Sequence, residues 1–519
     1  MTESAAREQK SLRAREFEVS VRRIGRSGSA GVLAGGLALA FALALACTDE
    51  TVIEVERPFF QDPPNAAMGF LGYDDAAANL TVCGNCHVGQ QSRWENTRHA
   101  DAWAGLQASG NVQPFCEGCH TVNPLGNPAV GEGGWTTTQD PRYHDVQCES
   151  CHGPGATHVA NPDVDANHPL ALIKVGADLT AGCGECHQGE HHPFVEEWEQ
   201  SKHAEILASP AGNPSCAGCH EGNAILAGWG VTDDYVEKHT GEQVPIVCAV
   251  CHDPHEATNQ GQLRFPVNSR QIEVNLCARC HNRRTAPLAT STHGLEPHAP
   301  EAPLLLGDAG WFPPNAEIDQ GQIISTHGSE GNPNLCATCH VAMFPVNDPN
   351  TGGLLVNSVG HLFEAIPCVD AQGIPIPGGD CPLTTAARSF AGCATGACHG
   401  GQQASAAGAL IATRLDIADR AADLLALLTV VDPNLTAPGG AIDPTNPTFT
   451  VAEGALFNYN LATHGGDVTA STAHNPFLIR ALLIASEQAV EEEYGVMGNR
   501  GFVDHRAELR EVIRQAPRR

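Results

Sequence analysis

Nine stretches of this chain place a histidine directly after a pair of closely spaced cysteines. Two such thiols can form thioether bonds to the vinyl groups of a porphyrin, and the imidazole that follows can ligate the iron. Zinc ribbons, redox dithiols and disulfides also use cysteine pairs, but none of them requires the histidine. The pattern therefore predicts nine covalently bound haem c groups.

We number the motifs 1 to 9 in chain order; the ninth, CATGACH, has four residues between its thiols instead of two. The cysteines predicted to bind haem are Cys83, Cys86, Cys116, Cys119, Cys148, Cys151, Cys183, Cys186, Cys216, Cys219, Cys248, Cys251, Cys277, Cys280, Cys336, Cys339, Cys393 and Cys398. The histidines predicted to be the first axial ligands of iron are His87, His120, His152, His187, His220, His252, His281, His340 and His399.

The first three motifs recur as motifs 4 to 6 at an offset of 100 residues. Residues 94–100 (WENTRHA) also recur at 198–204 (WEQSKHA), so the repeat extends beyond the cysteines. Both stretches read as short helices, and the alanine after each histidine would let a porphyrin approach closely. We therefore expect His99 and His203 to be second axial ligands.

Further histidines supply candidates for the remaining iron faces. Within the repeats these are His144 and His239, before the third motif of each unit, and His158 and His255, after it. Beyond motif 7 we favour His298, His327, His361 and His474, which is one more than needed, with His293 and His464 as alternatives. His168, His191 and His192 have no partners in the repeat and are expected to be solvated or to lie behind the ligands.

The composition predicts a fold that depends on its cofactors. Only 5% of the residues are aromatic, whereas glycine (54) and proline (35) are abundant, so the polypeptide alone has little with which to build a core. We expect mainly short α-helices and irregular loops nucleated by covalent haems, with a small helical C-terminal cap. The cap should contain helices at 400–428, from Asn475 to Glu493, and at 505–514.

The predicted segments are a signal peptide (1–46), a tether (47–81), a three-haem repeat (82–175), a second one (176–265), a three-haem region with longer loops (266–400) and the cap (401–519). The apolar run 32–46 is too short to span a membrane comfortably and is typical of a secretory signal. Cys47 follows it, so cleavage would leave either a soluble protein or a lipoprotein anchored at Cys47. The tether contains one candidate strand at 51–55, and Cys368 and Cys381 should form a disulfide in an exported protein.

The charge limits the kinds of partner. The chain carries a formal charge of −30, and residues 1–46 hold seven basic and four acidic residues, so removing them gives −30 − 3 = −33. Such a surface argues against nucleic acid and anionic lipid. It fits a soluble exported surface and equally fits attraction of basic redox partners.

The motifs resemble those of the bacterial multihaem c-type cytochromes. The run CESCHGPGATH, from Cys148 to His158, is similar to the cytochrome c-554 and octahaem electron-transfer branch, which includes hydroxylamine-oxidising and nitrite-reducing relatives. That resemblance implies haems packed in alternating parallel and perpendicular pairs, and some exported members form filaments. It also implies redox partner proteins or an extracellular acceptor, with the protein in the periplasm, at the outer membrane surface or outside the cell.

Two functions fit these features. One is an electron carrier whose irons all have two histidine ligands, serving periplasmic or extracellular respiration. The other is an oxidoreductase acting on a small nitrogen or sulfur oxyanion, which needs one iron with an open face. Sixteen histidines remain outside the nine motifs, and no CxxCK motif, which marks the active haem of several nitrite-reducing relatives, occurs. We therefore expect a carrier and no substrate conversion.

Overall fold

The computed structural model describes residues 69–517, except for residues 130, 176–181, 190–191, 289–294, 378–379, 436–447, 449 and 502. The described residues belong to one unit, Phe60–Arg519. The predicted signal segment, Cys47, the tether strand at 51–55, His191 and His293 lie outside the described residues.

Short helices joined by loops carry motifs 1 to 8. The α-helices of this part are Val88–Trp94, Ala102–Ala108, Trp135–Thr138, Cys148–His152, Ala156–Ala160, Phe194–Glu199, Ala208–Ala211, Pro214–His220, Gly222–Gly228, Val236–Thr240, Cys248–Cys251, Glu301–Leu306 and Cys336–His340. None of these exceeds seven residues. Glycine and proline interrupt helices, so this brevity follows from the composition.

Short 3-10 helices and three small hairpins complete the framework. The 3-10 helices are Ala76–Ala78, Cys83–Asn85, His99–Asp101, Pro114–His120, Pro141–Tyr143, Asp165–Asn167, Gly182–Glu185, Lys202–Ala204, Gln260–Gln262, Thr326–Gly328 and Gly392–Gly401. The strands pair antiparallel as Tyr73–Asp75 with Leu80–Thr81, Phe344–Asn347 with Leu354–Ser358, and Cys368–Val369 with Pro375–Ile376. The expected fold class, short helices and loops without an extended sheet, is confirmed.

The sequence repeat is also a repeat of hydrogen bonds. The buried indole of Trp94 donates to the carbonyl of Val146 (3.0 Å), and that of Trp198 donates to Ile246 (2.9 Å). The amides of Val146 and Ile246 in turn donate to the carbonyls of the two histidines that follow the tryptophans, at 3.1 and 3.0 Å. Each tryptophan therefore fixes its histidine against the third motif of its own unit.

The C-terminal cap holds the largest apolar core. Its helices are Gln403–Val431, Val451–Ala462, Thr469–His474, Pro476–Tyr494 and His505–Gln515, and the three helices expected from the sequence are confirmed. Asn475 caps the central helix by accepting from the Leu478 amide, with proline in the first turn. The fully buried Arg420 lies among acidic groups, 3.1 Å from Glu508 and 3.9 Å from Glu487.

Two further features concern cysteines and membranes. Cys368 and Cys381 form the expected disulfide, and the Cys368 half is buried. Among the described helices, none combines the length and the apolar character that crossing a bilayer requires.

Candidate haem-binding sites

Eight of the nine motif histidines face a second imidazole ring, with ring centroids 5.9–6.5 Å apart. Two metal–nitrogen bonds of about 2 Å each, plus the distance from each nitrogen to its ring centre, give a separation of about 6 Å across a shared metal. The pairs are His87 with His158, His187 with His99, His152 with His255, His281 with His203, His220 with His298, His252 with His361, His399 with His327, and His340 with His474. His187 has a second imidazole at this spacing, because the ring of His192 lies 6.3 Å away and edge-on. These residues therefore fit an iron held between two histidines.

Two of the ten predicted second ligands are not in such pairs. The exposed His239 hydrogen-bonds Asp234 at 2.7 Å, and the ring of His144 stacks on Trp103 with centroids 4.0 Å apart. Neither ring lies opposite a motif histidine, and the backbone register shows that the two positions are not equivalent. In the first unit the amide of Val122 donates to the carbonyl of Tyr143, which directly precedes His144. In the second unit the matching amide, that of Gly222, donates to the carbonyl of Val244. His239 therefore does not occupy the place that matches His144.

The pairs cross between the two units. His99, in the first unit, faces His187 of motif 4, and His203, in the second unit, faces His281 of motif 7. Each recurring histidine thus serves the first motif of the following unit. The sequence indicated that both histidines are ligands but did not indicate which motif each one faces.

Motif 2 differs from the others. The Nδ1 atom of His120 lies 2.8 Å from the carbonyl oxygen of Ala102, and no described imidazole faces His120 at the distance seen in the eight pairs. Nearby, the rings of Trp103, Trp135 and His144 are in mutual contact. The Trp135 indole donates to Glu117, which lies between the two cysteines of motif 2, at 3.1 Å.

Backbone carbonyls fix the tautomer of many of the paired imidazoles. The Nδ1 atoms of His152, His252 and His340 lie 2.6–2.8 Å from the carbonyls of residues 169, 261 and 363. His327, His361 and His474 have similar contacts, at 2.8–3.0 Å. A hydrogen bond from Nδ1–H leaves the Nε2 lone pair available for a metal.

A carboxylate takes the place of the carbonyl at one paired histidine and lies beyond hydrogen-bond distance at another. The Nδ1 atom of His281 lies 3.2 Å from Glu301, and that of His255 lies 3.6 Å from Asp253. Burial alone would raise the pKa of Glu301, but the hydrogen bond and charge of His281 outweigh burial and lower this pKa to about 2. Sequence reasoning did not identify either acid as part of a site.

Burial prepares several imidazoles for ligation. It is the largest cause that lowers the pKa of His187, His203 and His474 to about 4, and neighbouring imidazoles lower these values further. An imidazole with such a pKa is neutral at pH 7. Since a metal binds the neutral form, no proton has to be displaced there.

Glu197 positions one of the ligand loops. Its carboxylate, 9% exposed, accepts hydrogen bonds from the amides of Val359 (2.9 Å) and His361 (2.6 Å). Arg93 occupies the matching place in the first unit, just before Trp94, so the repeat gave no sign of this role.

Motif thiols approach one another in a regular order. Neighbouring cysteine sulfur atoms bring motif 1 close to 3, 2 to 4, 4 to 6, 5 to 7, and 7 to 8. The pairs are Cys83 with Cys148, Cys119 with Cys186, Cys183 with Cys248, Cys219 with Cys280, and Cys277 with Cys336. The contacts follow the sequence repeat. Motif 1 lies beside motif 3 as motif 4 lies beside motif 6, and motif 2 lies beside motif 4 as motif 5 lies beside motif 7.

Weaker electrostatic contacts connect these pairs. Burial, followed by the nearby Cys183 thiol, raises the pKa of Cys151 to about 12, which places motif 3 near motif 4. Burial and the thiols of motif 9 raise the pKa of Cys339 to about 12, which places motif 8 near motif 9. Cys251 of motif 6 contributes to the raised pKa of Cys277, after the larger effects of hydrogen bonding and burial. The motifs therefore form a continuous series, 1, 3, 4, 6, 7, 8 and 9, with motif 2 beside motif 4 and motif 5 beside motif 7.

Known proteins match parts of the chain. Residues 82–153 match the family described as cytochrome c554 and c-prime, and residues 240–286 match the doubled CXXCH motif. The multiheme cytochrome MtrA of Shewanella baltica (strain OS185) is 24% identical over 152 residues, covering 29% of this chain and 32% of MtrA. Cytochrome c-554 of Nitrosomonas europaea is 33% identical over 90 residues, covering 14% of this chain and 36% of that protein. The matches thus span about a third of each relative.

Solved structures give a weaker likeness. The outer cell wall cytochrome OcwA is 19% identical with a TM-score of 0.48, covering 74% of this chain and 78% of OcwA. The undecaheme cytochrome from the S-layer of Carboxydothermus ferrireducens is also 19% identical, with a TM-score of 0.42, covering 71% of this chain and 53% of that one.

Proposed function

Given that the chain belongs to the multihaem c-type cytochromes, we propose that it is an exported nonahaem electron carrier. Haem c binding and electron transfer follow from the family. The count of nine, the assignment of the ligands and the exported setting are the proposal. The observation that carries it is the set of eight imidazole pairs with the spacing of a shared metal.

The ninth motif supports the count despite its wider spacing. His399 faces His327 with centroids 6.1 Å apart, within the range of the seven other pairs. Cys393 and Cys398 belong to the same 3-10 helix as His399, Gly392–Gly401, and both lie near Cys339 of motif 8. The two extra residues therefore leave the thiols and the imidazole together, as haem attachment requires.

The order of the motifs supports a path for electrons. Seven motifs follow one another from motif 1 to motif 9, and each lies beside the next. Motifs 2 and 5 stand beside this series, next to motifs 4 and 7. Irons with two imidazoles keep the same ligands in both oxidation states, which suits transfer without substrate chemistry.

Sequence features support the exported setting. The apolar run at 32–46, the charge of −33 after its removal and the eighteen motif cysteines are typical of a secreted c-type cytochrome. The partners we propose are basic redox proteins or an extracellular acceptor, with a lipid anchor at Cys47 and a homo-oligomer or filament as further features of this proposal.

Motif 2 favours a second candidate function. Because no described imidazole faces His120, its iron is the one at which a small nitrogen or sulfur oxyanion would bind. The expectation that every iron has two histidines thus has one exception among the described residues. An oxidoreductase would use this iron, while the other eight would supply electrons.

Electron paramagnetic resonance and carbon monoxide binding separate the two functions. The oxidised carrier should show at least eight low-spin ferric haems, and the reduced protein should bind at most one carbon monoxide without turning over nitrite or hydroxylamine. One bound carbon monoxide together with such turnover would establish the oxidoreductase. Two or more equivalents of high-spin iron in the native protein would refute the ligand pairs.

A further inference from the structure

We propose that Glu301 lowers the reduction potential of the haem at motif 7, so that this junction separates the electron path into two pools. The inference rests on the haem ligation proposed above. It concerns a residue that does not touch iron but acts through the ligand His281.

The position of Glu301 is unusual among the described ligand histidines. Its Oε2 atom lies 3.2 Å from Nδ1 of His281, where seven other ligand histidines have a backbone carbonyl. The other carboxylate of this kind, Asp253, is 3.6 Å from its histidine and is paired with Arg264 at 3.0 Å, which offsets its charge. The other oxygen of Glu301 lies 3.7 Å from His464, and no described lysine or arginine forms an ion pair with Glu301.

An anionic acceptor changes the imidazole as a ligand. A carboxylate that accepts the Nδ1 proton makes the ring a stronger electron donor through Nε2 than a neutral carbonyl does. Stronger donation stabilises ferric iron more than ferrous iron, so the reduction potential falls. The negative charge close to the iron acts in the same direction.

Motif 7 is a junction, meaning a motif that lies beside three others, so a lower reduction potential there affects the electron path. Its thiols lie beside those of motifs 5, 6 and 8, so the series of neighbouring motifs runs through it from motifs 1–6 to motifs 8 and 9. Motif 4 is the equivalent junction of the first repeat, and no described carboxylate hydrogen-bonds its His187. The two junctions therefore differ, and the haem at motif 7 has the lower potential of the two.

The test is a potentiometric titration of the full-length haem-loaded protein, followed by visible absorption and electron paramagnetic resonance. Glu301→Gln keeps the shape of the side chain and removes its charge, so one of the nine potentials should move to a more positive value. Glu491→Gln is the matched control, because it neutralises a histidine–carboxylate pair in the C-terminal cap, in which His505 faces no motif. The control should leave all nine potentials unchanged.

A second measurement compares the reduction potentials of the haems at motifs 4 and 7, first with Glu301 unchanged. His99→Gly and His203→Gly each remove one paired imidazole, which marks the haems at motifs 4 and 7 with a high-spin signal. The marked haem at motif 7 should titrate at a lower potential than that at motif 4, and adding Glu301→Gln should reduce the difference. Equal potentials, or no effect of Glu301→Gln, would overturn the role of Glu301. A missing haem in the intact mass, or no new high-spin signal, would instead refute the ligation on which the inference rests.

Discussion

Replacing Glu197 with alanine should release the loop that carries His361. The carboxylate accepts two buried amide hydrogen bonds, from Val359 and His361. Hydrogen bonds to charged groups contribute about 1.5–3 kcal/mol each, so losing both should cost about 3–6 kcal/mol. Since 1.4 kcal/mol corresponds to a factor of ten, even the lower figure weakens the hold on this loop about 100-fold.

The expected result is the loss of the second ligand opposite His252. Oxidised Glu197→Ala should show one additional high-spin ferric haem, and the reduced variant should bind one more carbon monoxide than the native protein. Glu199→Ala is the control, since this exposed residue lies on the same helix, Phe194–Glu199. It should leave the spin states unchanged.

Glu197→Gln separates charge from shape. The amide keeps one acceptor oxygen but turns its nitrogen towards a backbone N–H, so this variant should also lose ligation, to a smaller extent. If Glu197→Ala binds all nine haems and retains the native spin states, the loop is held by other contacts and the role given to Glu197 is refuted.

Three further predictions concern other parts of the chain. Intact mass spectrometry should show nine haem increments, and eight increments with alkylatable Cys393 and Cys398 would remove motif 9. Peptide mapping without reduction should recover Cys368 linked to Cys381, and a free thiol at either position would contradict the bridge; reducing it should cost about 3 kcal/mol. Burial raises the pKa of Glu487 from its ordinary value of 4.5 to about 7, against the opposing charge of Arg420, so the folded state binds this proton more tightly. Stability should therefore fall as the pH rises from 4.5 to 7, and denaturation curves of Glu487→Gln should show a smaller fall.

The sequence predicted the features that local chemistry determines. Cysteine spacing marked the candidate haem motifs, the repeated tryptophan and histidine marked two imidazoles that lie opposite motif histidines, and Asn475 with its following proline marked a helix start. The cap helices were predictable because their apolar positions keep a helical period. Eight of the ten predicted second ligands lie opposite a motif histidine.

Contacts distant in sequence were not predictable. His252 and His361 are 361 − 252 = 109 residues apart, and only the tertiary path of the chain brings them together. His144 and His239 looked equivalent because each precedes a third motif, but backbone hydrogen bonding sets a different register. Glu301 stands 20 residues after His281 and has no motif to mark it.

The crossed pairing means that the unit of sequence is not the unit of folding. A fragment of residues 82–175 would contain three motifs but only one complete pair, because His152 needs His255 and His99 would have no partner. Such a fragment should not be stable on its own. An inserted copy of the repeat, in contrast, could receive a histidine from the unit before it and give one to the unit after it. Crossed ligation therefore allows such a protein to grow longer by whole repeats while it resists division into smaller cytochromes.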